Sequence, residues 1–197
     1  MLLRKWLPVS LILIPLMASA HNFVEGERVA PVGITDLGEL VLSNDDIVYK
    51  TWNTAQLEGK VRVVQYIAGR RSAKKKNSVF IKAIKAADLP EDIFQPTTIV
   101  NTDDEIPGSG IFVRGKVEKN KRRYPWAQFI IDSDGLGRKA WKLKEESSTI
   151  VVLDEKGRIR WAKDGALSPK EVLQVITLLH RLIDSAKPRS AEAPSAK

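Results

Sequence analysis

The chain has 197 residues, a formal net charge of +8 and no cysteine. Without cysteine, thiol–disulfide exchange, disulfide cross-links and thiolate metal sites are excluded for this chain. The length fits one domain that buries enough apolar surface to be stable without cross-links. The positive charge favours anionic partners.

The first 20 residues are organised like a cleavable signal peptide. The basic pair Arg4-Lys5 precedes an apolar stretch over residues 6–17, and Ala18-Ser19-Ala20 matches the small-residue pattern of a cleavage site. The apolar stretch is shorter than the roughly 20 residues that a membrane-spanning helix needs. We therefore predict cleavage after residue 20, a mature protein that begins at His21, and no transmembrane segment in the mature chain.

The first half of the mature chain predicts strands followed by a helix. Two short apolar runs within residues 31–42 flank Asp36-Leu37-Gly38 and predict a hairpin that turns there. A polar connector over 52–60 leads into a buried strand over 61–67. A helix is predicted over 72–87, with Ser72 as its N-cap. Its buried stripe would contain Ala73, Val79, Phe80, Ala83, Ile84 and Ala87.

The second half predicts four strands and a well-capped final helix. The strands cover residues 97–101, 129–131, 149–153 and 158–161, with an irregular helix between the first two and a tight turn over 154–157. Ser168-Pro169-Lys170-Glu171 forms a capping box at the start of the last helix. We predict one domain over 21–184, a disordered tail over 185–197, and a three-layer α/β sandwich around a mixed sheet.

Several segments resemble known proteins. Residues 57–69, Leu-Glu-Gly-Lys-Val-Arg-Val-Val-Gln-Tyr-Ile-Ala-Gly, resemble the strand and turn that lead into the active site of thioredoxin-like proteins, and residues 149–161 with the final helix resemble their C-terminal hairpin and helix. The chain as a whole, to about Ile183, more closely resembles the YtfJ family of exported bacterial proteins. That resemblance is carried by Ile67-Ala-Gly-Arg, Ser72-Ala-Lys, Ile99-Val-Asn-Thr-Asp-Asp-Glu-Ile-Pro-Gly-Ser-Gly, Tyr124-Pro-Trp and Trp161-Ala-Lys-Asp-Gly-Ala-Leu. It implies a thioredoxin-like fold and a periplasmic location, but no particular activity.

The chain departs from thioredoxins at both halves of their redox site. Under this resemblance, Arg71 and Lys74 stand where the two cysteines of thioredoxins stand. The place of their cis-proline reads Glu146-Ser147-Ser148-Thr149, without proline. The resemblance therefore implies the scaffold of an oxidoreductase without its chemistry.

A basic cluster surrounds the start of the predicted helix at residue 72. Five cations fall within seven residues, and main-chain amides of a helix start together with Arg and Lys side chains can hold phosphate, sulfate or carboxylate. We predict an anion-binding site formed by Arg70, Arg71, Ser72 and Lys74. The alternative is a solvated run of charges whose members point away from one another.

A second group of residues defines a candidate cleft beside this cluster: Asp103, Asp104, Ser147 and Ser148. The two aspartates follow the strand over 97–101 and would serve as metal ligands or acid–base groups, or pair with Arg70 or Arg71. Serine nucleophiles need an activating base, and the only histidines, His21 and His180, are poorly placed for that role.

The sequence predicts no metal site and no cofactor. Asp132-Ser133-Asp134-Gly135 resembles the start of a calcium loop, but the twelfth position holds Leu143 instead of glutamate. This segment is predicted to be a β-turn.

The sequence thus favours a binding or accessory module for an anionic small molecule or a periplasmic protein. The alternative is a non-redox enzyme that uses Asp103 or Asp104 with a metal or a basic clamp. The two hypotheses differ in geometry, because converging carboxylates in an open pocket favour an enzyme, whereas carboxylates paired with arginine favour binding. Nucleic acid is not a predicted partner, since the chain carries an export signal and lacks a recognisable helix-turn-helix.

Overall fold

The computed structural model describes residues 21–187; the predicted signal peptide and residues 188–197 of the predicted tail lie outside the described residues. The strands are β1 (Gly33–Ser43), β2 (Asp46–Asn53), β3 (Val61–Ala68), β4 (Phe94–Asn101), β5 (Gln128–Asp132), β6 (Ser148–Leu153) and β7 (Ile159–Asp164). The helices are α1 (Arg71–Lys76), α2 (Ser78–Ala86), α3 (Gly110–Arg123), α4 (Leu136–Trp141) and α5 (Pro169–Ala186), with a 3-10 turn over Thr54–Leu57. No helix within residues 21–187 has the length and apolar character to cross a membrane.

The seven strands form one mixed sheet in the order β2-β1-β5-β4-β3-β6-β7. β3, β4 and β5 are parallel, while β6 pairs antiparallel with β3 and β1 pairs antiparallel with β5. Helices cover both faces of this sheet, so the predicted α/β sandwich with a mixed sheet is confirmed.

Alternating side chains of the central strands divide the core between the two faces. Val64 and Tyr66 of β3 pack on the face covered by α4 and the N-terminal segment. Val61 and Val63 point to the opposite face, where α2 and α5 cover them, and Ile67 packs on that same face toward α1 and α3. All eight residues of β3 are buried, which explains why its sequence is apolar without strict alternation.

The two polar residues that interrupt β3 are satisfied inside the sheet. The Arg62 guanidinium donates to side-chain oxygens of Gln95 (2.6 Å), Thr97 (3.0 Å) and Gln128 (3.0 Å). Because this cation is removed from water, its pKa is lowered to about 10. Its polar partners keep the charge compatible with a buried position.

The hairpin predicted within residues 31–42 is wrong. Those residues belong mostly to one long strand, β1, and the chain turns instead at Asn44-Asp45, which both have positive φ (49° and 68°) as a type I′ turn requires. Asp36-Leu37-Gly38 forms an irregularity within β1. Gly38 is essential there, because a Cβ at this position would lie 2.2 Å from the carbonyl oxygen of Lys50.

The single helix predicted over 72–87 is two helices, α1 and α2, separated at Asn77. The Asn77 side chain is buried and forms hydrogen bonds with segments outside the two helices. Its amide donates to Ser148 Oγ (3.1 Å) and to the Gly165 carbonyl (2.9 Å). Its oxygen accepts from the Leu167 amide (3.0 Å). The break also changes the buried stripe, since Val79 is 68% exposed. The predicted N-cap is wrong as well: α1 begins one residue before Ser72.

Strand β2 was not predicted, and α5 continues to Ala186, two residues into the tail that was predicted to be disordered. The remaining elements follow the prediction with two differences. The irregular helix is a regular 14-residue helix, α3. A short helix, α4, follows the predicted turn at 132–135, because the carboxylate of Asp132 accepts from the amides of Leu136 (2.9 Å) and Gly137 (2.8 Å) and so caps it. The capping box of Ser168 and Glu171 is confirmed.

Replacing Asn77 by alanine should destabilise the domain strongly. The change leaves the Gly165 carbonyl and the Leu167 amide without their partner, and an unsatisfied buried group costs about 1–3 kcal/mol. We expect the free energy of unfolding, measured by urea denaturation, to fall by about 2–4 kcal/mol. Ser78→Ala is the matched control, because that exposed hydroxyl bonds only the Lys75 carbonyl; an equal loss in both variants would contradict the role given to Asn77.

The start of α5 should make stability depend on pH. The Glu171 carboxylate accepts from Lys163 and from the Ser168 amide and hydroxyl, which lowers its pKa from 4.5 to about 2. A carboxylate whose pKa is lowered in the native state stabilises the protein at pH values above 4.5, its ordinary pKa. That stabilisation is lost as the pH falls through about 2. Glu171→Gln should therefore lower the free energy of unfolding by about 1 kcal/mol at pH 7, and the difference should shrink between pH 4.5 and pH 2. A difference that is the same at pH 7 and pH 3 would contradict this assignment.

Candidate functional site

The predicted site lies where the central strand β3 ends and the chain turns into α1. The amide of Ala68 donates to the Ser147 carbonyl (3.0 Å), and the amide of Gly69 donates to the Asn101 carbonyl (2.8 Å). The backbone of Gly69 is packed closely, since a Cβ there would lie 3.0 Å from the Cβ of Glu105. The turn, the loop after β4 and the segment before β6 therefore form one continuous surface.

Arg70 joins these three segments through its guanidinium. It donates to the Asp104 carbonyl (3.0 Å) and carboxylate (2.9 Å) and pairs with the Glu146 carboxylate at 2.8 Å. The second carboxylate oxygen of Asp104 accepts from the Glu146 amide at 2.5 Å, and Glu146 is held in the left-handed region, with φ 52°. We call these three residues the Arg70 clamp. Because Arg70 pairs with two carboxylates, it links the three segments and is not a free cation that could bind an anion.

Asp103 has different partners from its neighbour Asp104. Its carboxylate lies 3.6 Å from the Arg138 guanidinium and 4.0 Å from the Lys139 ammonium. The two aspartates thus do not converge, and no cluster of three or more acidic or histidine side chains within residues 21–187 has the arrangement of a metal site.

The other cations of the cluster have no ion pair with any described residue. These are Arg71, Lys74, Lys75 and Lys76, all of them exposed on α1. Ser72 and Lys76 border a surface depression whose other lining residues are Lys144, the Arg138-paired Glu145 and the Arg70-paired Glu146. The structure therefore places an excess of positive charge directly beside the Arg70 clamp.

The short length of α1 changes the electrostatics of this cluster. A helix over 72–87 would have placed the three consecutive lysines, Lys74, Lys75 and Lys76, near its positive end. In the six-residue α1 they form the last turn, where the partial negative charge of the carbonyl ends favours cations. The cluster is thus less costly to the fold than its sequence suggests.

The two serines of the candidate cleft are buried. Ser147 donates to the Asp164 carboxylate (3.0 Å), and Ser148 accepts from Asn77 and from Gln65 (both 3.1 Å). Both hydroxyls serve the packing of β6 against its neighbours and do not face an open cleft. The structure therefore does not bring Ser147, Ser148, Asp103 and Asp104 together in one pocket.

Sequence reasoning missed Asn77, Glu146 and Asp164, which fix this end of the sheet. Asn77 is a polar residue on the otherwise apolar stripe of its helix, which is a readable signal for a break. Glu146 precedes a buried strand without any pattern that indicates its partner, because Arg70 lies 76 positions away in the sequence.

Two solved structures with a similar fold carry names that refer to thiol–disulfide chemistry. A "putative protein disulfide isomerase" from Bacteroides thetaiotaomicron matches with a TM-score of 0.59 and 16% identity, over 85% of this chain and 95% of that one. A "putative Thiol:disulfide interchange protein DsbE" from Chlorobium tepidum matches with a TM-score of 0.55 and 12% identity, over 82% and 99%. At such low identity these likenesses show the fold alone, and they confirm that it is thioredoxin-like.

Relatives found by sequence share a much higher identity with the chain than these structural neighbours do. The chain is 63% identical over 183 residues to the uncharacterized protein YtfJ of Escherichia coli (strain K12), covering 93% of this chain and all of that protein. It is 39% identical over 163 residues to an uncharacterized protein of Haemophilus influenzae, covering 83% and 89%. The family described as "Bacterial protein of unknown function (YtfJ_HI0045)" matches residues 23–182. With its relatives aligned over nearly their full length and no cysteine for redox chemistry, the chain belongs to the YtfJ family, with a thioredoxin-like fold.

Proposed function

We propose that this protein is an exported, periplasmic binding module that recognises an anionic group of a small molecule or a protein partner through Arg71, Ser72 and Lys74. One observation carries the proposal: the carboxylates of Asp103, Asp104 and Glu146 are paired with other cations, namely Arg70, Arg138 and Lys139, whereas the cations of α1 are left without ion pairs in the described part of the chain.

The Arg70 clamp supports a binding role, because it fixes the surface from which these cations project. A ligand bound to a preformed surface loses less conformational freedom than one that must order a loop. Arg70 is a positioning residue in this proposal, while the guanidinium of Arg71 and the ammonium of Lys74 supply the charge-assisted hydrogen bonds to the anion. The hydroxyl of Ser72, exposed between them, supplies a neutral donor.

The geometry favours binding over catalysis. An enzyme that uses Asp103 or Asp104 with a metal or a basic clamp would be favoured by carboxylates that converge in an open pocket, but each carboxylate is held in a separate ion pair. A serine nucleophile needs a base, and the side chains that hydrogen-bond Ser147 and Ser148 do not include a histidine.

Adding phosphate to the mature protein should raise its unfolding temperature. With a dissociation constant of about 1 mM, about 10 mM phosphate stabilises the native state by about 1.4 kcal/mol, which raises Tm by about 3–5 °C for a domain of this size. The measurement is a thermal shift series with phosphate, sulfate, polyphosphate and divalent cations at constant ionic strength. We expect the anion-dependent shift to disappear in the double variant Arg71→Ala/Lys74→Ala.

The control removes the same two charges elsewhere, in Lys156→Ala/Arg181→Ala. Lys156 lies in the turn between β6 and β7, at the opposite end of the sheet, and Arg181 is exposed on α5. The control should keep the full shift. The proposal fails if no anion shifts the unmodified protein, or if both double variants lose the shift equally.

Export should yield a protein that begins at His21. When the full chain is produced in a Gram-negative bacterium, we expect the mass of the periplasmic product to match cleavage after Ala20. Ala18→Leu/Ala20→Leu should retain the precursor, because both small residues of the cleavage pattern are lost, whereas Ser19→Leu should be processed. Finding the unprocessed chain in the cytosol would refute the proposed location.

A further inference from the structure

α3 packs on the sheet through one side only. Its inner side buries Val117 with Val113 beside it, against the apolar residues of β1 and β5. Lys121 also points inward, and its ammonium donates to the carbonyls of Pro125 (2.8 Å) and Ala127 (2.9 Å). The opposite side of the helix is exposed along its whole length.

The exposed side of this fully described helix carries no acidic residue. The one acidic residue of α3, Glu118, is partly buried and accepts a hydrogen bond from the Tyr49 hydroxyl at 2.6 Å. Eight residues of α3 are exposed, of which five are cations, two are large and apolar, and one is glycine. They are Ile111, Phe112, Arg114, Gly115, Lys116, Lys119, Arg122 and Arg123.

Large apolar side chains project from the start of the helix. Ile111 is 85% exposed and Phe112 72% exposed, and Ile106, in the preceding loop, is 55% exposed. The amide of Ser109 donates to the carbonyl of Ile106 at 2.9 Å, so this loop turns tightly and keeps Ile106 close to the helix start. Three of the eight large apolar residues that are exposed within residues 21–187 therefore come from one short segment.

No contact within the described part of the protein explains why residue 115 is a glycine. Glycine in the interior of a helix lowers its stability relative to alanine, yet a side chain here would meet no heavy atom within 4 Å. Its place on the exposed side, one turn after Ile111, lets an external surface approach the helix backbone closely.

We propose that α3 with Ile106 is a docking surface for an anionic phospholipid membrane. At a membrane interface, exposed apolar side chains enter the acyl boundary while neighbouring cations meet phosphate groups. In α3 the exposed apolar residues lie at the start of the helix, and five exposed cations follow along it. The charge of this face excludes cationic partners, and the exposed phenylalanine and isoleucines require a partner with apolar depth as well as negative charge. The proposal goes beyond the anion site at α1, because it uses a different helix and a different class of partner.

The test is co-sedimentation of the mature protein with vesicles. We expect binding to vesicles of phosphatidylglycerol and phosphatidylcholine in a 1:1 mixture, no binding to pure phosphatidylcholine, and a marked loss in high salt. Ile111→Ser/Phe112→Ser and Lys116→Gln/Lys119→Gln should each lower the partition coefficient at least fivefold. All four positions are exposed, so an unchanged unfolding temperature should accompany the loss.

The matched control, Lys75→Gln/Lys76→Gln, removes the same charge from α1. It should change the partition coefficient by less than twofold. The proposal is overturned if the unmodified protein does not bind the anionic vesicles, or if both α3 variants still bind them. It is also overturned if the control loses as much as Lys116→Gln/Lys119→Gln, because net charge alone would then explain binding.

Discussion

The ionic contact between Arg70, Asp104 and Glu146 holds together the end of the sheet that carries the candidate site. Three chain segments that are distant in sequence meet there, and each brings one partner: the turn after β3, the loop after β4 and the residue before β6. Arg70 and Asp104 are largely shielded, with 21% and 9% of their side chains exposed, so the contact is less screened than a surface ion pair.

The architecture was predictable from the sequence because its signals are local. The apolar run of β3, the capping box of α5 and the turn between β6 and β7 are each set by neighbouring residues, and they indicate an α/β sandwich. The order of the strands within the sheet was not predicted. Local signals also gave wrong predictions. Asp36-Leu37-Gly38 has the composition of a turn but forms an irregularity within β1. Asn77 interrupts the predicted helix, and its side chain bonds Ser148. In both cases a contact across the sheet or between layers outweighed the local preference.

The candidate site was predictable in composition but not in geometry. The cations of residues 70–76 are visible in the sequence, yet nothing there separates Arg70, which is neutralised, from Arg71, which is not. That difference arises because Glu146 and Asp104 reach one side of the turn only. The burial of Ser147 and Ser148 likewise depends on partners in three other segments. These partners cannot be identified from the spacing of residues along the chain.

Because the chain has no cysteine, thiol chemistry cannot change the covalent state of this region when the redox potential of its surroundings changes. Arginine and lysine keep one charge across the physiological pH range, and the inner contacts of Asn77 and Ser148 are between neutral groups. An oxidoreductase on this scaffold alternates between two covalent forms whose surfaces differ. Without a thiol this chain has no second covalent form of that kind, so a partner would meet the same surface in oxidising and in reducing conditions.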